Sequence, residues 1–187
     1  MRPGSAGSKT AAHHLEVTEG AIGQLPARHR RRLLVTVDGA GASHDLIDRL
    51  EALGRRPRQV GYSVGWEAAE RERTAIARVP EHAWQVAIDA AGRPRTRTTH
   101  TDRAKDGQEI ETAHVVELTG LLRDTDGHTN PDSDALAGWP PALRIYCRRE
   151  RPHPGAQLSL LDHADGWRYQ LWCTNMPICR PATTPPG

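Results

Sequence analysis

The short apolar segment Leu33–Val37 constrains the fold of this chain more than any other feature. Its sequence, Leu-Leu-Val-Thr-Val, is the nearly continuous apolar run that is typical of a strand buried in a parallel sheet. Asp38–Gly41 ends the strand, after which Ser43 can cap a helix that ends at Gly54. A second strand candidate follows at 59–64. The sequence therefore predicts a parallel strand-helix-strand unit with a right-handed crossover.

The rest of the chain offers little apolar material for a core. Among 187 residues there is no Phe, aromatic residues make up 4%, and the mean hydropathy is −0.64. The core must then come from Leu, Val, Ile, Ala and the five Trp, which predicts marginal stability. The 17 Gly and 14 Pro predict long loops within one ordinary domain, or one domain with loose segments.

No apolar run approaches the ~18 residues needed to cross a bilayer. The first 15 residues also lack the apolar centre of a secretory signal. We therefore expect a cytoplasmic protein without a membrane partner.

The pattern of the chain changes after residue 80. The region before it contains weak helical spacing over 11–25 and a charged helical pattern over 66–78. After it come short strand-like runs separated by turn residues, at 83–89, 143–149, 157–161 and 167–174. Residues 115–122 fit a short helix or a strand, and we favour the helix. A mainly antiparallel β section is predicted for this part.

These patterns predict two regions and a tail. Residues 1–80 would form the core with the parallel unit, and residues 81–175 a β-rich region. Polar, poorly periodic sequence predicts flexible loops near 93–111 and 125–134. Residues 176–187 are expected to form a disordered tail.

The basic residues are 23 Arg and only two Lys, which we interpret first as a compositional bias. Their distribution is uneven, because residues 26–60 contain eight Arg against four carboxylates, whereas residues 102–134 contain nine carboxylates against three basic residues. A basic patch beside the Leu33–Val37 strand can attract a polyanion. Arginines can also flank a strand only because the residues beside it are exposed to solvent, and composition alone favours that interpretation.

Asp38 is the carboxylate with the clearest chemical context. At the carboxyl end of a parallel strand, with small residues behind it, its side chain would point into the crevice where open α/β sheets bind ligands. A carboxylate there could hold Mg²⁺. The alternative, which the local sequence favours, is that Asp38-Gly39 only makes the turn into the helix. Asp89, in the similar segment Val86–Gly92, belongs to a polar hairpin turn, and nothing in the sequence brings it to Asp38.

Other chemistries have little support in the sequence. There is no phosphate-binding Gly-x-x-x-x-Gly-Lys loop and no Gly-x-Ser-x-Gly elbow. Cys147, Cys173 and Cys179 form an odd set without a Cys-x-x-Cys pair, so free thiols are favoured over a disulfide framework. A zinc site that combines them with some of the ten His is the less favoured alternative.

The segment Leu33–His44 (Leu-Leu-Val-Thr-Val-Asp-Gly-Ala-Gly-Ala-Ser-His) resembles the strand that carries the second aspartate in DDE transposases of bacterial insertion sequences, in their actinobacterial form. Arg2–Thr10 is similar to the family's Arg-Pro-Gly-Asn-Ala-Gly-Ser-Asn-Thr segment, with Ser5 and Lys9 as departures. Further similar segments, which together span most of 2–175, are Tyr62–Glu67, Trp84–Asp89, Glu117–Leu122, Gly138–Pro141, Arg148–Leu160 and Asp165–Leu171.

The resemblance implies an α/β fold: a partial ribonuclease-H-like core, with a β-rich antiparallel insertion between the second and third acidic residues. Such enzymes cut and join transposon DNA ends with two Mg²⁺ ions. Asp38 would be the second acid and a metal ligand. The family's first Asp lies upstream of the Arg2–Thr10 segment, and its third acid, a Glu, lies beyond the point near Met176 where the sequence leaves the family pattern.

With two of three acids missing, we expect Mg²⁺ to bind weakly and the chain to be an inactive, truncated catalytic domain. Loss of the upstream strands would also leave an unpaired sheet edge.

The alternative is a non-catalytic DNA-binding or regulatory module derived from a transposase. Its partners would be DNA, such as transposon ends, and a full-length transposase whose assembly it could block. The predicted DNA-binding residues are Arg28, Arg30, Arg31, Arg32, Arg148, Arg149 and Arg151. A small zinc-dependent or structural domain unrelated to transposition is the third interpretation.

Overall fold

The computed structural model describes residues 11–39, 41–99, 108–123, 136–152 and 166–176. The helices of this part are α1 (Ala11–Gln24), α2 (His44–Leu53), α3 (Glu70–Ala77) and α4 (Thr119–Arg123). Its strands are β1 (Arg32–Val37), β2 (Gln59–Trp66), β3 (Gln85–Val86), β4 (Thr96–Thr99), β5 (Gln108–Glu111), β6 (Ala113–Glu117), β7 (Arg144–Glu150) and β8 (Arg168–Thr174).

Six of these strands form one mixed sheet in the order β1-β2-β8-β7-β6-β3. β1 and β2 are parallel, with Leu33 opposite Val60, and every other pair in the sheet is antiparallel. β4 and β5 form a separate antiparallel pair. The predicted mixed α/β class, the parallel strand-helix-strand unit and the antiparallel strands that follow it are confirmed. The prediction that Leu33–Val37 is a buried strand is wrong, because β1 is an outer strand of the described sheet and Leu34 on it is 61% exposed.

Helix α2 forms where the sequence predicts it. Ser43 has extended backbone angles, and its Oγ accepts a hydrogen bond of 3.3 Å from the backbone N–H of Leu46. This bond satisfies one of the N–H groups that a helix start leaves without an intrahelical partner. Gly54 ends the helix, and its N–H donates to the carbonyl oxygens of Leu50 and Glu51. The apolar face of α2 then packs on β2, where the Tyr62 hydroxyl donates to Glu51 at 3.0 Å.

The core lies between the helices and one face of the sheet. Leu46, Ile47 and Leu50 of α2 are fully buried against alternating residues of β2 and of the antiparallel strands. Burying one such Leu or Ile side chain stabilises the fold by roughly 1.5–3 kcal/mol. The buried residues of the strands are Val60, Tyr62, Val64, Ile145, Cys147, Leu171 and Cys173. Aliphatic side chains dominate this cluster, as the absence of Phe predicts.

Some predicted element boundaries are wrong. The helix predicted over 66–78 begins only at Glu70, because β2 continues through Trp66, which pairs with Leu171 of β8. The helix favoured over 115–122 is wrong for its first half, because β6 extends to Glu117 to pair with β7, and α4 starts at Thr119. The strand predicted over 83–89 is reduced to β3, followed by an isolated bridge between Ile88 and Pro94.

The pairing of β2 with β8 joins strands from 1–80 and from 81–175 in one sheet. β4 and β5 lie within the predicted loop 93–111, whose central residues fall outside the described ranges. The predicted loop 125–134, the strand 157–161 and, apart from Met176, the tail 176–187 also lie outside them. In the described part, no helix is long and apolar enough to span a bilayer.

Candidate functional site

Asp38 directly follows the last residue of β1, so its carboxylate lies at the carboxyl end of the parallel pair. The side chain is exposed, and its Oδ1 accepts a hydrogen bond of 2.7 Å from the backbone N–H of Gly39. That bond stabilises the turn toward α2, which is what the turn interpretation of Asp38-Gly39 predicts. Asp38 can still act as a metal ligand through its other carboxylate oxygen, Oδ2.

Two glycines let the turn after Asp38 cross the neighbouring strand. Gly39 has a φ of 69°, which favours glycine, and its backbone passes directly over Gly65 of β2. A Cβ on Gly65 would lie 1.6 Å from the carbonyl oxygen of Gly39. The backbone N–H of Ala42 donates to the carbonyl oxygen of Gly65 at 3.1 Å. The small residues around Asp38 therefore serve a close backbone approach that fixes the turn.

An open groove lies between α1 and β1, and Asp38 is one of its lining residues. Its volume is about 570 Å³, and Val17, Leu34 and His14 are among its lining residues. The Nδ1 of His14 is buried and finds no hydrogen-bond partner in the part of the chain that the structure describes. The ring approaches the same turn, since a Cβ on Gly41 would lie 3.4 Å from its Cε1. Nothing in the sequence pointed to His14, because its position depends on how α1 packs.

A buried carboxylate follows the carboxyl end of β2. Glu72 in the first turn of α3 is 2% exposed, and its Oε1 accepts a hydrogen bond of 3.1 Å from the indole N–H of Trp66. Trp139 contacts Trp66 at 4.7 Å between ring centroids and stacks on His44 at 3.8 Å. The burial of Glu72 leaves it closed to solvent and unsuited to join Asp38 in an open site.

The carboxylate Asp38 does not complete a metal centre with the residues described. Across the described ranges, no group of three or more His, Cys, Asp or Glu side chains is placed to hold a metal ion. Mg²⁺ requires near-octahedral oxygen ligation, and the two-metal mechanism requires several convergent carboxylates. The described residues around Asp38 therefore do not fit the Mg²⁺ site that the resemblance implies.

The predicted DNA-binding arginines fall into two groups. Arg28, Arg30, Arg31 and Arg32 lie at or just before the amino end of β1. Given the rise per residue of a β-strand, the amino end of β1 lies roughly 20 Å from Asp38. Arg30 is committed to the fold, because it donates to the carbonyl oxygens of Gly23 and Leu25 at 2.7 and 2.6 Å at the end of α1.

Arg149, in the second group, belongs to the protein interior. It is 5% exposed, and its guanidinium lies 4.4 Å from the ring centroid of Trp84 and 4.5 Å from that of Trp167. Both of its terminal nitrogens donate to the carboxylate of Glu81. This hydrogen bonding holds the pKa of Glu81 below its usual value. Arg149 thus stabilises the β7 side of the molecule and is not available on a DNA-binding face.

Arg148 and Arg151, the other two arginines of the second group, are more accessible than Arg149. Arg148 donates to Gln170 at 2.6 Å and lies 3.3 Å from the carboxylate of Glu150. Arg151 is exposed and lies 4.3 Å from the ring centroid of Trp167. Arg151 is the one arginine of this second group whose guanidinium is exposed to solvent and forms no ion pair with a carboxylate of the described residues.

Three further arginines, which were not among the predicted DNA-binding residues, lie beside the first group. The parallel register places Gln59 opposite Arg32, and the backbone N–H of Gln59 donates to the carbonyl oxygen of Arg31 at 2.8 Å. The turn that leads into β2 contains Arg55, Arg56 and Arg58. We call the combined set the arginine rim: Arg28, Arg30, Arg31, Arg32, Arg55, Arg56 and Arg58. Its signal in the sequence was the Arg-Arg-Pro-Arg run, but only the strand register brings that run to Arg31.

Two cysteines lie in the core rather than at a site. Cys147 and Cys173 are free and fully buried, and burial raises the pKa of each thiol to about 12. Such thiols are poor metal ligands and poor nucleophiles at neutral pH. Cys179 lies outside the described residues.

No protein-family model, curated protein or solved structure matches this chain. The similarity to DDE transposases therefore rests on the sequence segments that carry it.

Proposed function

We propose that this chain is part of the catalytic domain of a DDE-type insertion-sequence transposase with a ribonuclease-H-like core. In this proposal the chain on its own binds DNA without cutting it. The observation that carries the proposal is the position of Asp38 at the carboxyl end of a parallel strand, next to a glycine turn and a capped helix. This is the strand to which the resemblance assigns the second acidic residue.

The surroundings of Asp38 support binding without cleavage. Strand cleavage in this enzyme class needs several carboxylates around two Mg²⁺ ions. In the described ranges Asp38 has no such cluster around it, and Glu72, at the start of α3, is buried. A single exposed carboxylate is too weak a ligand set to activate the attacking water.

The distribution of charge supports DNA as the partner. The arginine rim contains seven of the eight Arg of residues 26–60, so the positive charge of this region is concentrated at one end of the parallel unit. Phosphate groups are bound by such arginines regardless of DNA sequence, because Coulomb attraction and the release of counterions drive the binding.

The binding half of the proposal is tested by fluorescence anisotropy of a labelled DNA duplex across a series of salt concentrations. We expect log K to fall linearly with log salt concentration, with a slope of about −0.9 per phosphate contact. Asp38→Asn serves as a control and should bind equally or slightly more tightly, because it removes a negative charge without altering the arginines. Absent binding, or binding that does not depend on salt, would refute the proposal.

A further inference from the structure

Five arginines of the rim line an open cavity at the amino end of the parallel strands. The cavity has a volume of about 550 Å³ and lies between the end of α2 and the turn into β2. The lining contains no carboxylate among the described residues, and its four other residues are small or apolar: Arg30, Arg31, Arg55, Arg56 and Arg58 share the wall with Ala27, Ala52, Leu53 and Pro57.

The charges of the rim are largely uncompensated. Within the described ranges, none of its seven arginines forms a salt bridge with a carboxylate. Arg30 is held by backbone carbonyl oxygens and Arg28 by the ring of His29. Like charges gathered in this way repel one another and destabilise the folded state unless an anion binds among them.

The backbone keeps these arginines together. The parallel pairing of β1 with β2 fixes Arg31 beside the turn 55–58, whose ends are linked by a hydrogen bond of 3.2 Å from the Arg58 N–H to the Arg55 carbonyl oxygen. The carboxyl end of α2 lies beside these cations, and its partial negative charge helps to hold them there. The site is therefore built on regular elements, even though its side chains are mostly exposed.

We infer that the arginine rim is a phosphate-binding site that holds the backbone of nucleic acid at the end of the sheet opposite Asp38. This inference rests on the proposed function for the identity of the partner. Arginine suits the role because its planar guanidinium can donate two hydrogen bonds to one phosphate. Since the rim and Asp38 lie roughly 20 Å apart, phosphates bound at the rim are not delivered to Asp38.

The test compares two triple variants that remove the same charge. R55A/R56A/R58A removes three of the seven rim arginines. R71A/R73A/R78A removes three arginines from α3 and its end, none of which lines the rim's cavity. The probe is a labelled 20-base-pair duplex, titrated at several salt concentrations. We expect the rim variant to lose about tenfold or more in affinity and the salt slope to shrink by about 2 to 3, which corresponds to three lost phosphate contacts. The α3 variant should change affinity by less than about threefold.

Circular dichroism and thermal melting establish that both variants fold. If the triple variant does not fold, R55A/R56A replaces it, because it keeps the partly buried Arg58.

Equal losses in the rim and α3 variants would overturn the rim as the site while leaving DNA binding intact. Thermal melting with inorganic phosphate shows whether the rim binds the phosphates of nucleic acid or free phosphate. If wild-type protein does not bind duplex but its melting temperature rises with phosphate only when the rim is present, the rim binds free phosphate and the proposed function fails. Absence of both effects would overturn both.

Discussion

Arg149 and Arg151 lie two residues apart in sequence and have different roles. Arg149 is enclosed by the rings of Trp84 and Trp167, whereas Arg151 is exposed at the edge of Trp167. The charge pair with Glu81 adds little stability, because the Glu81 side chain is 80% exposed and solvent screens it. The packing of a desolvated guanidinium between two indole rings contributes more.

Arg149→Ala should therefore lower the free energy of unfolding by about 2 kcal/mol, since it removes two cation–π contacts and leaves a cavity between the rings. Urea denaturation followed by tryptophan fluorescence measures the change. Arg151→Ala is the matched control and should change the free energy by less than about 1 kcal/mol, because it removes one exposed cation–π contact and leaves no cavity. Similar values for the two variants would show that Arg149 does not hold the rings together.

The two core thiols make stability depend on alkaline pH. Burial raises the pKa of Cys147 and Cys173 to about 12, whereas an unfolded thiol ionises near its usual value of about 8.5. Their contribution to stability is fully present below that value and is lost as the pH rises toward 12. In a C179S background, the free energy of unfolding should fall between pH 9 and 11, and the fall should be smaller in C147A/C173A. An equal fall in both proteins would assign the pH dependence to other groups.

At the scale of the elements, the turn between β1 and α2 depends on the approach of two backbones. Gly65→Ala should place a Cβ where the carbonyl oxygen of Gly39 lies, so the turn that carries Asp38 must move. We expect a loss of about 2–4 kcal/mol in the free energy of unfolding, the range of overpacking and backbone strain.

Gly23→Ala is the control for this substitution. Gly23 lies in α1 with nothing within 4 Å of an added Cβ, so alanine should stabilise the protein by up to about 1 kcal/mol through its helix propensity. Chemical denaturation measures both variants under the same conditions. A Gly65→Ala protein as stable as wild type would contradict the close approach.

The elements that the sequence predicts well are those defined by neighbouring residues. Ser43 and Gly54 limit α2 through local hydrogen bonds, and the apolar run of β1 needs no distant partner to be recognised. The errors arise where pairing with a strand distant in sequence determines the secondary structure. Trp66 is in a strand because Leu171 lies beside it, and residues 113–117 are extended because β7 pairs with them. No local pattern carries that information.

The same distinction holds for the candidate site. Asp38 could be located from the strand and turn around it, and the positive charge of residues 26–60 could be counted. The approach of His14 to the turn depends on the packing of α1, and the position of Arg31 beside the turn 55–58 depends on the register of β1 with β2. The burial of Arg149 also depends on tryptophans that are distant in sequence.

At the scale of the whole molecule, the sheet separates two kinds of surface. The arginine rim occupies the amino end of the parallel strands and Asp38 the carboxyl end. β1 is also an outer strand of the sheet formed by the described residues, and Leu34 on it is 61% exposed. The arrangement suits the proposed function, in which DNA is held at one end and Asp38, at the other, belongs to no metal-binding group among the described residues.

Nicking of supercoiled plasmid in Mg²⁺ and in Mn²⁺, by wild-type protein and by Asp38→Asn at protein concentrations that saturate DNA binding, tests the central claim most directly. We expect both proteins to bind the plasmid and to produce the same low background of nicked circles as buffer with either ion. Nicking by the wild-type protein that exceeds this background and disappears in Asp38→Asn would contradict the claim, because it would require further ligands around Asp38.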